Sequence, residues 1–379
     1  MSNLRELYTI KVVIGNAIVT SGAGSTFISA TIFENIADIF STCAISFEGS
    51  EEFVTNAAIV DGTPIKIFIQ SKDLDFSYVY YYRVAKVDVI QSTNSSYKYT
   101  VYGYTDFYSL FEPPTRFAFK GKSSQVFQNI ADNYKLESEI DVTNDEQLWV
   151  CSEQNLKGWL SFVASRGYIN ETSGMFWCLD RHRCLLYKDI SSLFDQKTTY
   201  TVAPGSDPAS LESNTIYYIN SAVANNSVEE NLKGNGYGGS DFHFSLLEYQ
   251  TKETTARKVK AFSNIININK DISRGLKQSF HPIDVDNFHS NYYVSRDQNM
   301  RVLSTFSTYY TIACQFFYPI RLGQIVNLIK NSLTGGNVSK SLNVKSMVCG
   351  IQINLSEVSV TMNATLCAQG FNGRSTLTY

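Results

Sequence analysis

The sequence predicts an α+β fold that is mainly β, in which two similar β-barrel domains flank an α/β insert. Near the start of the chain, Gly62-Thr63-Pro64 leads into Ile65–Ile69, where isoleucine stands at every second position. Near the end, Leu322-Gly323 leads into a similar apolar run that begins at Ile325. Apolar side chains at every second position occupy one face of a strand. Two such modules, separated by residues of different character, predict an internally duplicated chain.

Each module continues as two long strands. In the first, strands over Tyr80–Ile90 and Tyr97–Tyr104 flank a turn at Ser92–Ser96. In the second, strands over Val344–Leu355 and Val358–Leu366 are joined by a short polar turn. The Asn, Ser and Gly residues between the runs are the residues that hairpin turns favour.

The first 112 residues are otherwise predicted to be β as well. An alternating strand begins at Tyr8, and a second strand covers Ala44–Phe47. A short helix is predicted around Ile32–Ile39. The region ends at Glu112-Pro113-Pro114, because consecutive prolines remove two donors from a β-ladder.

The insert begins with two predicted helices and a hairpin. Ser123 and Ser124 are candidate caps for a helix with an apolar stripe, formed by Val126, Phe127, Ile130, Ala131 and Tyr134. A second stripe ends before Gly167 and is formed by Leu156, Trp159, Leu160 and Val163. The hairpin pairs Met175–Leu179 with Leu185–Tyr187 through a turn at residues 180–183.

Beyond the hairpin, strands are predicted at Ile216–Ile219 and Thr311–Pro319, an exposed loop at Asn225–Asp241, and a helix at Asn291–Tyr309. The pattern assigns no structure to residues 243–290. The sequence thus predicts a first barrel domain at residues 1–112 and an insert at residues 113–203 and 237–305. The second barrel domain is predicted at residues 204–236 and 306–379, and the last range includes a polar tail.

Composition indicates a globular protein with no strong charge. Of 379 residues, 44% are hydrophobic and 18% charged, and the net charge is −3. Such a chain lacks the basic surface that duplex binding needs. No apolar stretch approaches the ~20 residues of a membrane span, so no membrane insertion is expected.

The seven cysteines are an odd number without metal-ligand spacing. Cys178 and Cys184 flank the turn of the hairpin and are predicted to lie close together. Free buried thiols are favoured over a structural disulfide, as expected of a chain made in a reducing host cytoplasm.

Residues with catalytic, cofactor-binding or metal-binding potential form no complete site. Gly234–Gly239 has the glycine spacing of a dinucleotide loop but lacks the strand before it and the helix after it. The four histidines are His182, His243, His281 and His289. His281 and His289, with Asp284 and Asp286 between them, lack a supporting ligand, and surface or loop histidines are favoured over a metal site. The sequence therefore predicts no cofactor and no metal.

Two charged clusters are interpreted as surface features. The acidic cluster, which would suit a glycoside hydrolase if two carboxylates faced a cleft, consists of Glu137, Glu139, Asp141, Asp145 and Glu146. The basic cluster is interpreted as a solvated or interfacial helix face and consists of Lys252, Arg257, Lys258 and Lys260.

The chain resembles the baseplate-hub proteins of contractile-tailed bacteriophages and the hub part of secretion-system spike proteins. The resemblance lies in the order of elements and in three stretches. These are Leu156–Ala164 followed by the hairpin, Asn291–Phe306 followed by Arg321–Val326, and the terminal hairpin Val344–Leu366.

The resemblance implies two tube domains per chain and a homotrimeric ring with pseudo-sixfold symmetry. It further implies a structural, non-enzymatic protein at the centre of the tail baseplate of the virion. The implied partners are the tail tube protein and the central spike protein, together with baseplate wedge and tape-measure proteins, and DNA would pass through the channel. A cell-wall hydrolase and a host-binding tail protein stay open as alternatives.

Overall fold

The computed structural model describes residues 8–20, 25–71, 77–91, 96–107, 118–151, 155–205, 214–225, 238–245, 250–258, 276–281, 308–334, 337–357 and 359–368. The first part of the chain forms seven strands and one short helix, which are β1 (Tyr8–Ile14), β2 (Ala17–Ile18), β3 (Ser25–Asn35), β4 (Asp38–Gly49), α1 (Glu51–Asn56), β5 (Pro64–Ser71), β6 (Ser77–Gln91) and β7 (Tyr97–Thr105).

A mixed segment follows, and the remaining strands come after it. The segment contains β8 (Ala118–Gly121), α2 (Ser123–Tyr134), β9 (Glu137–Ile140), β10 (Gln147–Val150), α3 (Leu156–Ser165), β11 (Met175–Leu179), β12 (Cys184–Asp189) and α4 (Ile190–Asp195). The last part contains β13 (Tyr200–Pro204), β14 (Thr215–Tyr218), β15 (Asn220–Asn225), β16 (Gly238–Ser245), β17 (Gln250–Lys258), β18 (Leu276–His281), β19 (Thr308–Cys314), β20 (Ile325–Thr334), β21 (Asn337–Leu355) and β22 (Val360–Ala368).

The architecture is mainly β with a curled sheet, which confirms the predicted fold class at that level. Of the strands that the structure describes, seventeen join one sheet, while β16–β18 form a separate three-stranded sheet. The main apolar core takes side chains from both ends of the chain: Ile32, Ile45, Ile312 and Ile353 are all fully buried. Among the described residues, no helix has the length and apolar character needed to span a membrane.

Five strands recur in the same order at the two ends of the chain. The first β unit runs β3-β4-β7-β6-β5, and the second β unit runs β15-β19-β22-β21-β20, with every neighbouring pair antiparallel. A bulge interrupts the pairing of β6 with β7 between Val84 and Lys86, and that of β21 with β22 between Val348 and Gly350. The shared order and the shared bulge extend the similarity seen in the sequence to the backbone.

The glycine turns that precede β5 and β20, which are equivalent strands of the two units, are also the same. The Thr63 N–H donates to the Val60 carbonyl at 3.1 Å, and the Gln324 N–H donates to the Arg321 carbonyl at 3.3 Å. The glycine inside each turn has a positive φ, 79° at Gly62 and 78° at Gly323. Each glycine N–H then donates to the residue before the bulge, Val84 or Val348.

Matched alanine substitutions test this equivalence. Gly62→Ala and Gly323→Ala are each expected to lower the free energy of unfolding by about 1–2 kcal/mol, because a left-handed backbone strains an L side chain. Urea unfolding measures both losses. Asparagine, which tolerates this conformation better, is the control and should cost less. A loss confined to one of the two glycines would contradict the equivalence.

The predicted strands and insert helices are present, although the strand predicted at Thr311–Pro319 ends at Cys314. Several other predictions are wrong. Residues 32–35 and 38–39 belong to the β3–β4 hairpin, not to a helix, and the Asn35 side chain accepts the Ala37 N–H in the turn. Gly238–Asp241 lies in β16 and Asn225 in β15 instead of a loop. Ser123 and Ser124 follow the N-cap of α2, which is Lys122. Of the helix predicted at Asn291–Tyr309, Thr308 and Tyr309 lie in strand β19 instead, and residues 291–307 lie outside the described residues. Residues 92–95 of the predicted turn Ser92–Ser96 also lie outside them.

Candidate assembly surfaces and the junction between the β units

A buried ion pair joins the tip of the β11–β12 hairpin to the first β unit. The guanidinium of Arg181 contacts the carboxylate of Glu34, and the Arg181 N–H donates to the same carboxylate at 2.5 Å. Both side chains are only 1% exposed. The Arg181 Nε also reaches the Tyr80 hydroxyl at 3.4 Å. Burial raises the pKa of Tyr80 to about 12, so its hydroxyl stays protonated.

The same arginine reaches the segment that connects β19 and β20 of the second β unit. Its second terminal nitrogen donates to the Ile320 carbonyl at 2.5 Å. The next residue, Arg321, donates from Nε and its terminal nitrogen to Asp180 at 3.0 and 2.8 Å. The turn residues Asp180 and Arg181 therefore hold both β units at once, close to where β3 pairs with β21.

The acidic cluster is distributed over three separate environments. Glu139 accepts from Arg321 at 3.0 Å, and Asp141 accepts from Lys188 at 3.0 Å. Asp145 is fully buried at the start of α2 and accepts the Ser123 N–H at 2.8 Å. Glu137 and Glu146 are exposed. Glu139 is exposed too, so its ion pair contributes little to stability. The surface interpretation of the cluster is wrong for Asp145, which is buried.

The histidine at the hairpin tip packs against aromatic rings. His182 stands edge-on to Tyr78 and Tyr80, with ring centroids 5.6 and 5.3 Å away. Burial, followed by the charge of Arg181, lowers its pKa to about 4. It is therefore neutral at pH 7. Within the described part of the chain, no group of three or more His, Cys, Asp or Glu is arranged to hold a metal ion.

The remaining histidines, the glycine-rich stretch and the basic cluster lie on the three-stranded sheet or outside the described residues. His243, Gly238 and Gly239 belong to β16, and His281 ends β18. Lys252, Arg257 and Lys258 lie on the strand β17, so the expected helix for the basic cluster is wrong. Residues 234–237, 260, 284, 286 and 289 lie outside the described residues.

The cysteine prediction is correct for five residues and wrong for two. The free, buried thiols are those of Cys43, Cys151, Cys178, Cys184 and Cys314. Cys349 and Cys367 form a disulfide with their Cα atoms 6.1 Å apart. Cys349 occupies the bulge in β21, which turns its side chain toward β22. A bulge of this kind has no signature in strand alternation, and the sequence therefore did not reveal the pair.

Two strand edges carry exposed apolar side chains. In β15, Val223 is 38% exposed, and in the last part of β6, Val89 and Ile90 are 52% and 65% exposed. Among the described residues, β15 pairs only with β19, and residues 86–91 of β6 pair only with β7. Edges of this kind are templates for pairing with another chain.

No protein-family model matches the sequence, and no curated protein matches it. Solved structures match over nearly the whole chain. The tail protein of Neisseria meningitidis MC58 has a TM-score of 0.58 at 10% identity, covering 97% of this chain and 98% of that chain. The 43 kDa tail protein of prophage MuSo2 from Shewanella oneidensis has a TM-score of 0.61 at 10% identity, covering 95% and 98%.

The chain has the fold of a phage tail protein. A component of the E. coli type VI secretion system has a similar fold, with a TM-score of 0.51 at 8% identity. The match covers 96% of this chain and 78% of that chain, which is described as structurally similar to the T4 bacteriophage tail proteins gp27 and gp5. The predicted resemblance to phage hub and secretion-spike proteins is confirmed at the level of the fold.

Proposed function

We propose that the protein is the central structural hub of a phage tail baseplate. Three chains form a ring that joins a hexameric tail tube to a trimeric spike and lines the channel through which DNA passes. The observation that carries this proposal is the repeated five-strand order, β3-β4-β7-β6-β5 and β15-β19-β22-β21-β20. Two similar units per chain give a trimer six similar faces, which suits a partner with sixfold symmetry.

In this proposal the protein acts by geometry and has no catalytic role. The two β units belong to two tube domains divided as the sequence predicts, and the segment between them forms the insert. The protein is made in the host cytoplasm and placed at the centre of the baseplate. Its partners are the tube protein and the spike protein, with wedge and tape-measure proteins at the periphery.

Native mass spectrometry of the purified chain tests the proposal. The expected mass is three times the chain mass of 42.6 kDa, and imaging along the symmetry axis is expected to show an annulus with six lobes. A chain that stays monomeric at high concentration would overturn the hub. Cell-wall hydrolysis that is lost in Glu137→Gln or Glu139→Gln would favour a hydrolase instead. Binding to host glycans without affinity for tube protein would favour a host-binding tail protein.

A further inference from the structure

We propose that the outer edge of β15 pairs, antiparallel, with the last part of β6 in a neighbouring copy of this chain. The inference rests on the proposed function, because it supplies the interface that closes the proposed trimer. Its template is a contact within the chain, where the outer edge of β3 pairs with residues 350–355 of β21. In the two β units, β3 corresponds to β15, and β21 corresponds to β6.

The strand order places the two proposed partners at opposite ends of one run. Neighbour by neighbour, the run is β15-β19-β22-β21-β3-β4-β7-β6. The contact between β21 and β3 joins the two units at its middle. If the same contact joins the β6 end of one copy to the β15 end of the next, every junction around the ring has one geometry. Such head-to-tail contacts generate closed rings.

The residues that pair between copies are found by comparing the two units. In each unit, a row is a set of directly opposed residues on neighbouring strands. The first row contains Ile32, Cys43, Gly103 and Val84, and the equivalent row contains Val223, Tyr310, Leu366 and Val348. Both rows end at the residue before a bulge, which fixes the alignment. Val89 follows Val84 in β6 by the same number of residues as Ile353 follows Val348 in β21. Val89 is therefore equivalent to Ile353.

The register of the template then transfers directly. Within the chain, Ile32 lies opposite Ile353. Between copies, Val223 therefore lies opposite Val89, and Ala222 lies opposite Ile90. Burial fits this assignment: Ile32 and Ile353 are both 0% exposed, whereas Val223 and Val89 are 38% and 52% exposed in the single chain. Apolar side chains that are buried at one junction are exposed at the equivalent position, where a neighbour is absent.

Cysteine cross-linking tests the register in the full-length chain. The test pairs are Val223→Cys with Val89→Cys, and Ala222→Cys with Ile90→Cys. Directly opposed residues alternate between wide and close spacing, so one of these two pairs has the close spacing. The control, Val223→Cys with Ile90→Cys, is shifted by one residue, which puts the two thiols on opposite faces. All four positions are exposed in the single chain, and the substitutions are therefore expected to leave it folded.

After mild oxidation, at least one test pair is expected to run as a covalent trimer on a non-reducing denaturing gel, and the control pair as a monomer. Mixing chains that carry Val223→Cys alone with chains that carry Val89→Cys alone should stop at covalent dimers. A trimer by mass that cross-links at neither test pair, or equally at the control, overturns the interface but leaves the proposed function standing. A monomer by mass overturns both.

A charge exchange gives a second readout that needs no oxidation. Val89→Lys is expected to weaken trimer formation by about tenfold or more, and adding Val223→Asp is expected to restore part of the affinity, because opposite charges then face each other across the strands. Circular dichroism checks that the variants are folded. A folded Val89→Lys chain that assembles like the native chain contradicts the interface.

Discussion

Arg181→Ala is expected to destabilise the protein by about 3–5 kcal/mol, because it leaves the Glu34 carboxylate buried without its cation. The side chain of Glu34 is 1% exposed, so bulk solvent does not solvate the carboxylate. The substitution also removes the donor to the Ile320 carbonyl, which ties the second β unit to the hairpin tip. Urea or thermal unfolding of the purified protein measures the loss.

A double substitution separates the pair from its surroundings. Arg181→Met with Glu34→Leu removes both charges and keeps the volume, so this protein is expected to lie closer to the native stability than either single variant does. The control is the partly exposed pair of Arg83 and Asp106, with side chains 39% and 26% exposed. Asp106→Ala should cost about 1 kcal/mol or less. Equal losses at the two pairs would contradict the importance of burial.

Most of the correctly predicted fold follows from the alternation of apolar residues along the strands. The modules around Gly62 and Gly323 were found because alternation and turn glycines are local signals. The helix predicted around Ile32–Ile39 was wrong because Ile32, Ile36 and Ile39 have helical spacing, while pairing with β4 and β21 decides the structure. Propensity yields to tertiary context in such cases.

Residues that join distant parts of the chain had no local signal. Glu34 and Arg181 are 147 positions apart, and neither stands in a motif. The second β unit was also harder to recognise, because β15 and β19 pair across a long intervening segment, whereas β3 and β4 form a short hairpin. Contacts of this kind depend on the complete fold, and one sequence does not reveal them.

Asp145→Ala is expected to cost about 3–5 kcal/mol, since four donors lose their buried acceptor. These are the Ser123 N–H and hydroxyl at 2.8 and 2.5 Å, the Thr143 hydroxyl at 2.8 Å and the Tyr168 N–H at 3.0 Å. Asp145, in the loop between β9 and β10, therefore holds this loop to the start of α2 and to the segment after α3. The expected result is a lower unfolding midpoint with loss of helical circular dichroism.

Two further substitutions distinguish this structural role from the acid–base role of a hydrolase. Glu146→Ala, at the exposed neighbour, is expected to change stability by no more than about 0.5 kcal/mol. Asp145→Asn is expected to be intermediate, because the amide keeps one acceptor oxygen but turns an N–H group toward the remaining donors. A catalytic carboxylate would behave differently: its amide would preserve stability and abolish hydrolysis. An Asp145→Asn protein as stable as the native protein would therefore contradict the structural role and return the acidic cluster to consideration as a site.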